Sequence, residues 1–230
     1  MSIELDQLLR RPDIWKPGEN RAPSKTGLPT GFAALDAVLR ESGWPRGALI
    51  ELLSGGAGIG ELRLLLPALA SLGARGFYQI WIDPPQLPYA PGLLLRGIDL
   101  QRLVVARPRD HRQWLWATEQ ALRSAGCGAV VCWTGDGRSR YAELRKLQVA
   151  AAERGCLCFV FGDLRGADTA SPAALRLRLA CEPNGLAIDI LKQRGTQAGQ
   201  RVVLETPVAL RKQASLRQRP VVVSAPRRAL

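Results

Sequence analysis

The sequence predicts an α/β domain built on a largely parallel sheet, and three observations carry that reading. Apolar runs of strand length alternate with amphipathic helical segments, one such run empties into a glycine-rich loop, and the 230 residues suffice to bury one sizeable core. Taken in order, residues 3 to 11 place Leu5, Leu8 and Leu9 at i, i+3 and i+4, the pattern of a short one-sided helix. Pro12 stops it, Trp15 follows, and a polar linker carrying Pro and Gly closes this N-terminal unit at about residue 27. Such a helix, set apart from the core, must bury its apolar side on its own domain or on a partner.

The body is expected over residues 28–207. It opens with Thr30 as the expected cap of a helix whose Phe32, Leu35 and Leu39 share a face. Residues 48–53 read as a buried strand, 54–60 as the glycine loop, and 61–72 as a helix with Leu62, Leu65, Leu66 and Leu69 at helical spacing. Pro67 is expected to kink that helix, because it brings no N–H to the backbone ladder. Further strands are predicted at 77–83, 103–106, 129–133 and 157–161. The crossover helices between them are 110–125, with Trp114, Leu115, Thr118, Ala121 and Leu122 on one side, and 139–153, with Tyr141, Leu144, Leu147 and Ala151.

After Gly162 the pattern changes. A polar loop leads to residues 174–181, where Leu175, Leu177 and Leu179 alternate with Arg176 and Arg178 as in a half-exposed strand. Pro183 to Gly185 turns the chain into 186–192, and 201–205 follows a Gly/Gln-rich loop, so an antiparallel hairpin or meander is expected to extend the parallel core. Residues 208–230 hold two prolines and many arginines with little periodicity, which predicts a basic, flexible C-terminal tail.

Charge is the loudest compositional signal. The net formal charge is +12, and residues 192–230 hold nine bases (Lys192, Arg194, Arg201, Arg211, Lys212, Arg217, Arg219, Arg227, Arg228) against Glu205 alone, a local +8. Such asymmetry points to an acidic partner, nucleic acid or protein, or to a solvated tail. Of these bases, all but Arg201 are candidate partner or DNA contacts, and Leu5, Leu8, Leu9 and Trp15 are candidate partner contacts at the other end. The five cysteines form no C-x-x-C pair and His111 is the lone histidine, so reduced, buried thiols and no metal are expected. Neither His111 nor Asp136 has a constellation around it. With no long apolar span and an acidic N-terminus, the chain reads as cytoplasmic, without membrane partners.

The glycine loop has the outline of a phosphate-binding loop, whose pattern is G-x-x-x-x-G-K-[ST]. Gly55, Gly56, Gly58 and Gly60 supply the glycines, but Glu61 stands where Lys belongs and Leu62 where the Mg²⁺-holding hydroxyl belongs. Two unit charges 4 Å apart interact by about 4 kcal/mol at an effective dielectric near 20, so exchanging Lys for Glu turns an attraction of that order into repulsion. No nucleotide cofactor is therefore expected.

Leu28-Pro-Thr-Gly31, Leu35-Asp36, Gly43-Trp-Pro-Arg-Gly47, a strand and then the glycine loop resemble the opening of the RecA/RadA recombinase core. Within that group the chain most resembles the ImuA family, the RecA-like accessory proteins of bacterial mutagenic translesion synthesis, often grouped with the SulA-like proteins. The resemblance covers roughly residues 3–205 and implies a RecA-like P-loop NTPase fold with a C-terminal antiparallel extension. It also implies where recombinase chemistry should sit: the water-activating acid at or beside Pro85, leaving Asp83 as the carboxylate there, the Walker-B acid at Trp133 or Thr134, and the γ-phosphate sensor at Gly162. None of those positions except Asp83 carries a suitable group. Residues 162–172 correspond to a DNA-contacting loop, here with Arg165 as its base. The resemblance thus implies a non-catalytic adaptor of the SOS response that binds the Y-family-like ImuB and, through it, an error-prone C-family polymerase. RecA and single-stranded DNA are further candidate partners. The alternatives are a SulA-like division inhibitor, a DNA-dependent ATPase with a rearranged site, and simple nucleic-acid binding through the tail.

Overall fold

The computed structural model describes residues 27–56, 58–135, 140–195 and 199–205. The N-terminal helix candidate with Leu5, Leu8, Leu9 and Trp15, Asp136, and the basic residues from Arg211 to Arg228 lie outside them. Along the described chain run helix α1 (Ala33–Val38), strand β1 (Leu49–Ser54), a 3₁₀ turn (Glu61–Leu64), α2 (Leu66–Ala74), β2 (Tyr78–Ile82) and α3 (Ala90–Leu94). Then come β3 (Leu103–Ala106), α4 (His111–Arg123), β4 (Cys127–Trp133), α5 (Tyr141–Arg154), β5 (Leu157–Asp163), β6 (Leu175–Glu182), β7 (Gly185–Gln193) and β8 (Arg201–Glu205).

The strands form one sheet in the order β3-β2-β4-β5-β1-β6-β7-β8. Strands β1, β4 and β5 are buried on both faces and, Glu51 of β1 apart, largely apolar, as a parallel sheet with crossover helices requires. One face packs Leu35, Trp44, Leu69, Trp81 and Phe159, with the Trp44 ring edge-on to Phe159 at 5.1 Å. The other packs Trp114 and Leu122 of α4 and Leu147 and Ala151 of α5 against Val130, Cys158 and Val160. Strand β6 pairs parallel with β1 and antiparallel with β7, so the reversal of direction begins one strand later than a separate hairpin would place it.

Several expectations are corrected. Thr30 does not cap α1: its hydroxyl accepts the N–H of Phe32, itself the N-cap residue, and its own N–H donates to Asp36 Oδ1 at 2.9 Å. Pro67 does not kink a helix but sits in the first turn of α2, where its missing N–H costs nothing, and a 3₁₀ turn precedes it. Tyr141 is exposed rather than on the buried side of α5. Cys127, Cys132, Cys156 and Cys158 are buried thiols, but Cys181 is exposed. The Cys156 thiol bonds to Cys127 sulfur at 3.7 Å, and that contact, with burial, pushes its pKa up. Arg176, expected on the open face of its strand, is buried.

Gly31 has φ +87°, and a Cβ there would lie 2.4 Å from Pro67 Cβ. Gly31→Ala therefore combines left-handed strain with overpacking, and urea unfolding should register a loss on the order of 1–3 kcal/mol.

Candidate functional site

The carboxyl ends of β1, β2, β4 and β5 border a cleft of about 410 Å³, the place where open α/β sheets receive ligands. One wall is the glycine loop. Gly58 and Gly60 take φ +84° and +91°, while a Cβ on Gly56, Gly58 or Gly60 would meet nothing within 4 Å. Backbone conformation rather than crowding thus calls for glycine at 58 and 60.

Glu61 closes this loop on itself. Its side chain is drawn inward, with 9% of the residue exposed, and Oε1 accepts the N–H of Gly58 at 3.0 Å. An amide that a phosphate-binding loop aims at its ligand is here engaged by the loop's own carboxylate. The α-helix proper begins only at Leu66, so Glu61 sits on a single 3₁₀ turn, and Leu62 packs partly buried against the core. Glu61→Ala should cost about 1 kcal/mol in denaturant unfolding, the scale of one hydrogen bond to a charged acceptor on a partly exposed loop.

The other positions that the resemblance singled out lie around the same cleft or beside it. Asp83, directly after β2, adopts φ +56° with its N–H bonded to the Ala106 carbonyl at 2.8 Å, and Pro84 and Pro85 follow. At the end of β4, Trp133 stacks on Phe161 with centroids 5.1 Å apart and leans on Trp81 at 5.9 Å. Thr134 turns its hydroxyl to the Phe161 carbonyl at 3.2 Å. A Cβ on Gly162 would stand 3.1 Å from Leu53 Cδ2, so this end of β5 is packed, not poised. Of the charged side chains lining the cleft, Glu61, Asp83 and Asp163 are acids and Arg107 is the base. That sign opposes a polyphosphate.

A second cavity of about 590 Å³ shares Asp83 and Trp133 with the cleft and includes His111. His111 is the chain's lone histidine, and the fold supplies its companions. The ring stacks on Trp114 at 5.5 Å, and Nε2 is 3.1 Å from Glu143, whose other oxygen accepts the Arg140 N–H at 2.8 Å. Burial pushes the Glu143 carboxyl up, but the Arg140 amide and His111 outweigh it and hold the group below its ordinary value. A depressed carboxylate contributes stability that is present above its unfolded pKa, about 4.3, and is lost as pH falls through the lower folded value. Glu143→Gln should accordingly lower the melting temperature at pH 7, with the deficit shrinking as pH falls below about 4.3, so that the variant's profile is the flatter one there.

Sequence reasoning missed the best-built polar cluster. Glu51 of β1 and Arg176 of β6 are register partners, with Arg176 Nε 2.7 Å from Glu51 Oε2 and both side chains buried. Arg176 also donates to the carbonyls of Gly166, Ala167 and Thr169 at 2.7–3.1 Å, and the Ser171 hydroxyl donates to Glu51. The available signal was a lone acid inside an apolar strand, which must find a partner when buried. Of the predicted contact residues, Lys192 directs its ammonium to the Ser171 carbonyl at 2.6 Å, and burial together with Arg176 lowers its pKa. Arg194 bonds through its backbone to Ala174 and Arg40. Arg165 lies against Asp163 at 2.9 Å. The structure thus gathers Gly55, Gly56 and Glu61 at the cleft and Lys192 at the ion-pair cluster. Among the described residues no group of three His, Cys, Asp or Glu could hold a metal ion, and no helix is long and apolar enough to cross a membrane.

This is an α/β protein with a RecA-like relationship. It is 28% identical to Protein RecA of Oceanobacillus iheyensis over 131 residues, 56% of this chain and 37% of that protein. It is 30% identical to Protein RecA of Acholeplasma laidlawii over 131 residues, again 56% of this chain and 38% of the relative. Against Protein RecA of Francisella philomiragia it is 32% identical over 104 residues, 45% of this chain and 29% of that one. The chain spans about a third of the length of these curated relatives. No family model matches it.

Proposed function

We infer that this chain is a non-catalytic RecA-like adaptor in DNA repair, acting in SOS-induced mutagenic translesion synthesis. The observation that carries the reading is Glu61: it stands at the phosphate lysine's position and spends its carboxylate on Gly58 N–H. The aromatic stack of Trp133 on Phe161 where a metal-holding acid is expected adds to it. On this reading the fold is kept as a scaffold, nucleotide hydrolysis is not its task, and binding is carried by the basic residues beyond Val208, Lys192 and Arg194 being engaged with the core. Its partners are ImuB, through it an error-prone C-family polymerase, and RecA or single-stranded DNA.

The testing experiment is a pull-down of the full chain and of a chain ending at Val208 against ImuB, RecA and single-stranded DNA in parallel. Capture of ImuB by the full chain and its loss on truncation supports the adaptor role. Equal capture by both chains removes the tail from it, and no capture of ImuB by either removes the role itself.

A further inference from the structure

An apolar groove of about 320 Å³ opens between the turn after the glycine loop and α3, with Leu62, Leu66, Tyr89 and Leu93 as its walls and Arg63 and Arg96 on its rim. Beside it Leu87, Leu94 and Leu95 are 83%, 57% and 87% exposed, and Tyr89 is 73% exposed. An apolar groove whose chain neighbours are exposed leucines calls for a cover. Gly92 shapes it, because a Cβ there would come 2.9 Å from the Tyr89 ring, which lies over the helix.

We propose that the chain's own N-terminal segment, residues 3–15, fills this groove in the free protein. Connectivity supports it. The described chain begins at Gly27, whose N–H bonds to the Glu41 carbonyl at 3.1 Å, and four residues on Gly31 packs on Pro67, the chain neighbour of Leu66 in the groove wall. The eleven residues between Trp15 and Gly27 can reach up to about 36 Å when extended. The segment offers Leu5, Leu8 and Leu9 on one side, matching an apolar trough.

Charge selects this occupant over the other end of the chain. Residues 3–15 carry three acids, Glu4, Asp6 and Asp13, against Arg10 and Arg11, and their first turns, with Glu4 and Asp6 and no base, complement Arg63 and Arg96. The C-terminal segment also starts nearby, since Arg63 donates to the Glu205 carbonyl at 3.0 Å. Yet residues 206–230 hold six bases and no acid. Burial and then the neighbouring Arg96 charge already lower the Arg63 pKa, so further cations at this rim are unfavourable. The inference is independent of the adaptor role. It assigns the N-terminal segment to its own core rather than to a RecA subunit.

The test places the photo-crosslinker benzoylphenylalanine at position 89 of the full chain, an aromatic-for-aromatic exchange at an exposed site, and uses equal amounts of isotopically heavy and light protein. Irradiation followed by mass spectrometry should link position 89 to residues 3–15 within single molecules, with heavy–heavy and light–light products only. Leu8→Asp in the same background should lower the yield about tenfold, the effect of 1.4 kcal/mol, with an unchanged circular dichroism spectrum. Mixed heavy–light products, links to residues 206–230, or no link in a folded chain would each overturn the proposal, as would an unaltered yield in Leu8→Asp.

Discussion

Glu51→Ala is expected to destabilise the fold by about 3–5 kcal/mol, the cost of leaving a buried charge without its partner. The carboxylate lies between two inner strands, and Arg176 reaches it with both side chains more than nine-tenths buried. Removing the acid leaves a buried guanidinium with neutral carbonyl partners alone, and it leaves the Ser171 hydroxyl without its acceptor. Urea unfolding should show the midpoint falling with the slope unchanged. Replacing both partners together, Glu51→Leu with Arg176→Met, should recover most of the loss, because an apolar pair of similar volume avoids desolvating two ions. The double variant should nonetheless be cut faster by protease within 164–172, since Arg176 holds the carbonyls of Gly166, Ala167 and Thr169. A single variant as stable as the parent would show that the pair carries no structural role.

The second large effect concerns the charged end of the chain. Beyond Val208 lie Arg211, Lys212, Arg217, Arg219, Arg227 and Arg228 without one acid. If they meet phosphates, single-strand affinity should fall with salt at a slope approaching about −4, the value for six neutralised phosphates at −0.7 each. Truncation after Val208 should bring that slope close to zero. Within the described residues, Lys192 and Arg194 are engaged with the core through Ser171, Ala174 and Arg40, so they are not expected to replace the lost contacts. A fluorescence anisotropy titration between 50 and 200 mM salt reads both chains. An unchanged slope on truncation would move the contact onto the folded body.

The strands were legible because each is a short apolar run between turn residues, and a run that must be buried on both faces leaves little choice of structure. Their order across the sheet was not legible from periodicity. The position of β6 depends on parallel pairing to β1, which follows 120 or more residues of sequence separation. Arg176 was misassigned for the same reason: alternation with leucines predicts an open face, but β1 presents Glu51 at the same register and segment 163–174 covers the pair. Pro67 was misjudged by one turn, because proline breaks a helix interior and starts a helix equally well. At the cleft, the absence of the lysine and the acids could be read directly from residue types. That Glu61 would turn back to the Gly58 amide, and that Trp133 would stack on Phe161, required the fold.

The adaptor account rests on a glycine loop whose anion site is closed by its own carboxylate. The most direct measurement is ATP turnover by the full chain, with and without single-stranded DNA, alongside a Glu61→Ala variant. The account predicts no turnover above the buffer rate under either condition and none gained in the variant. Turnover by the parent chain that rises with DNA and vanishes in Glu61→Ala would contradict it and make this cleft an active site.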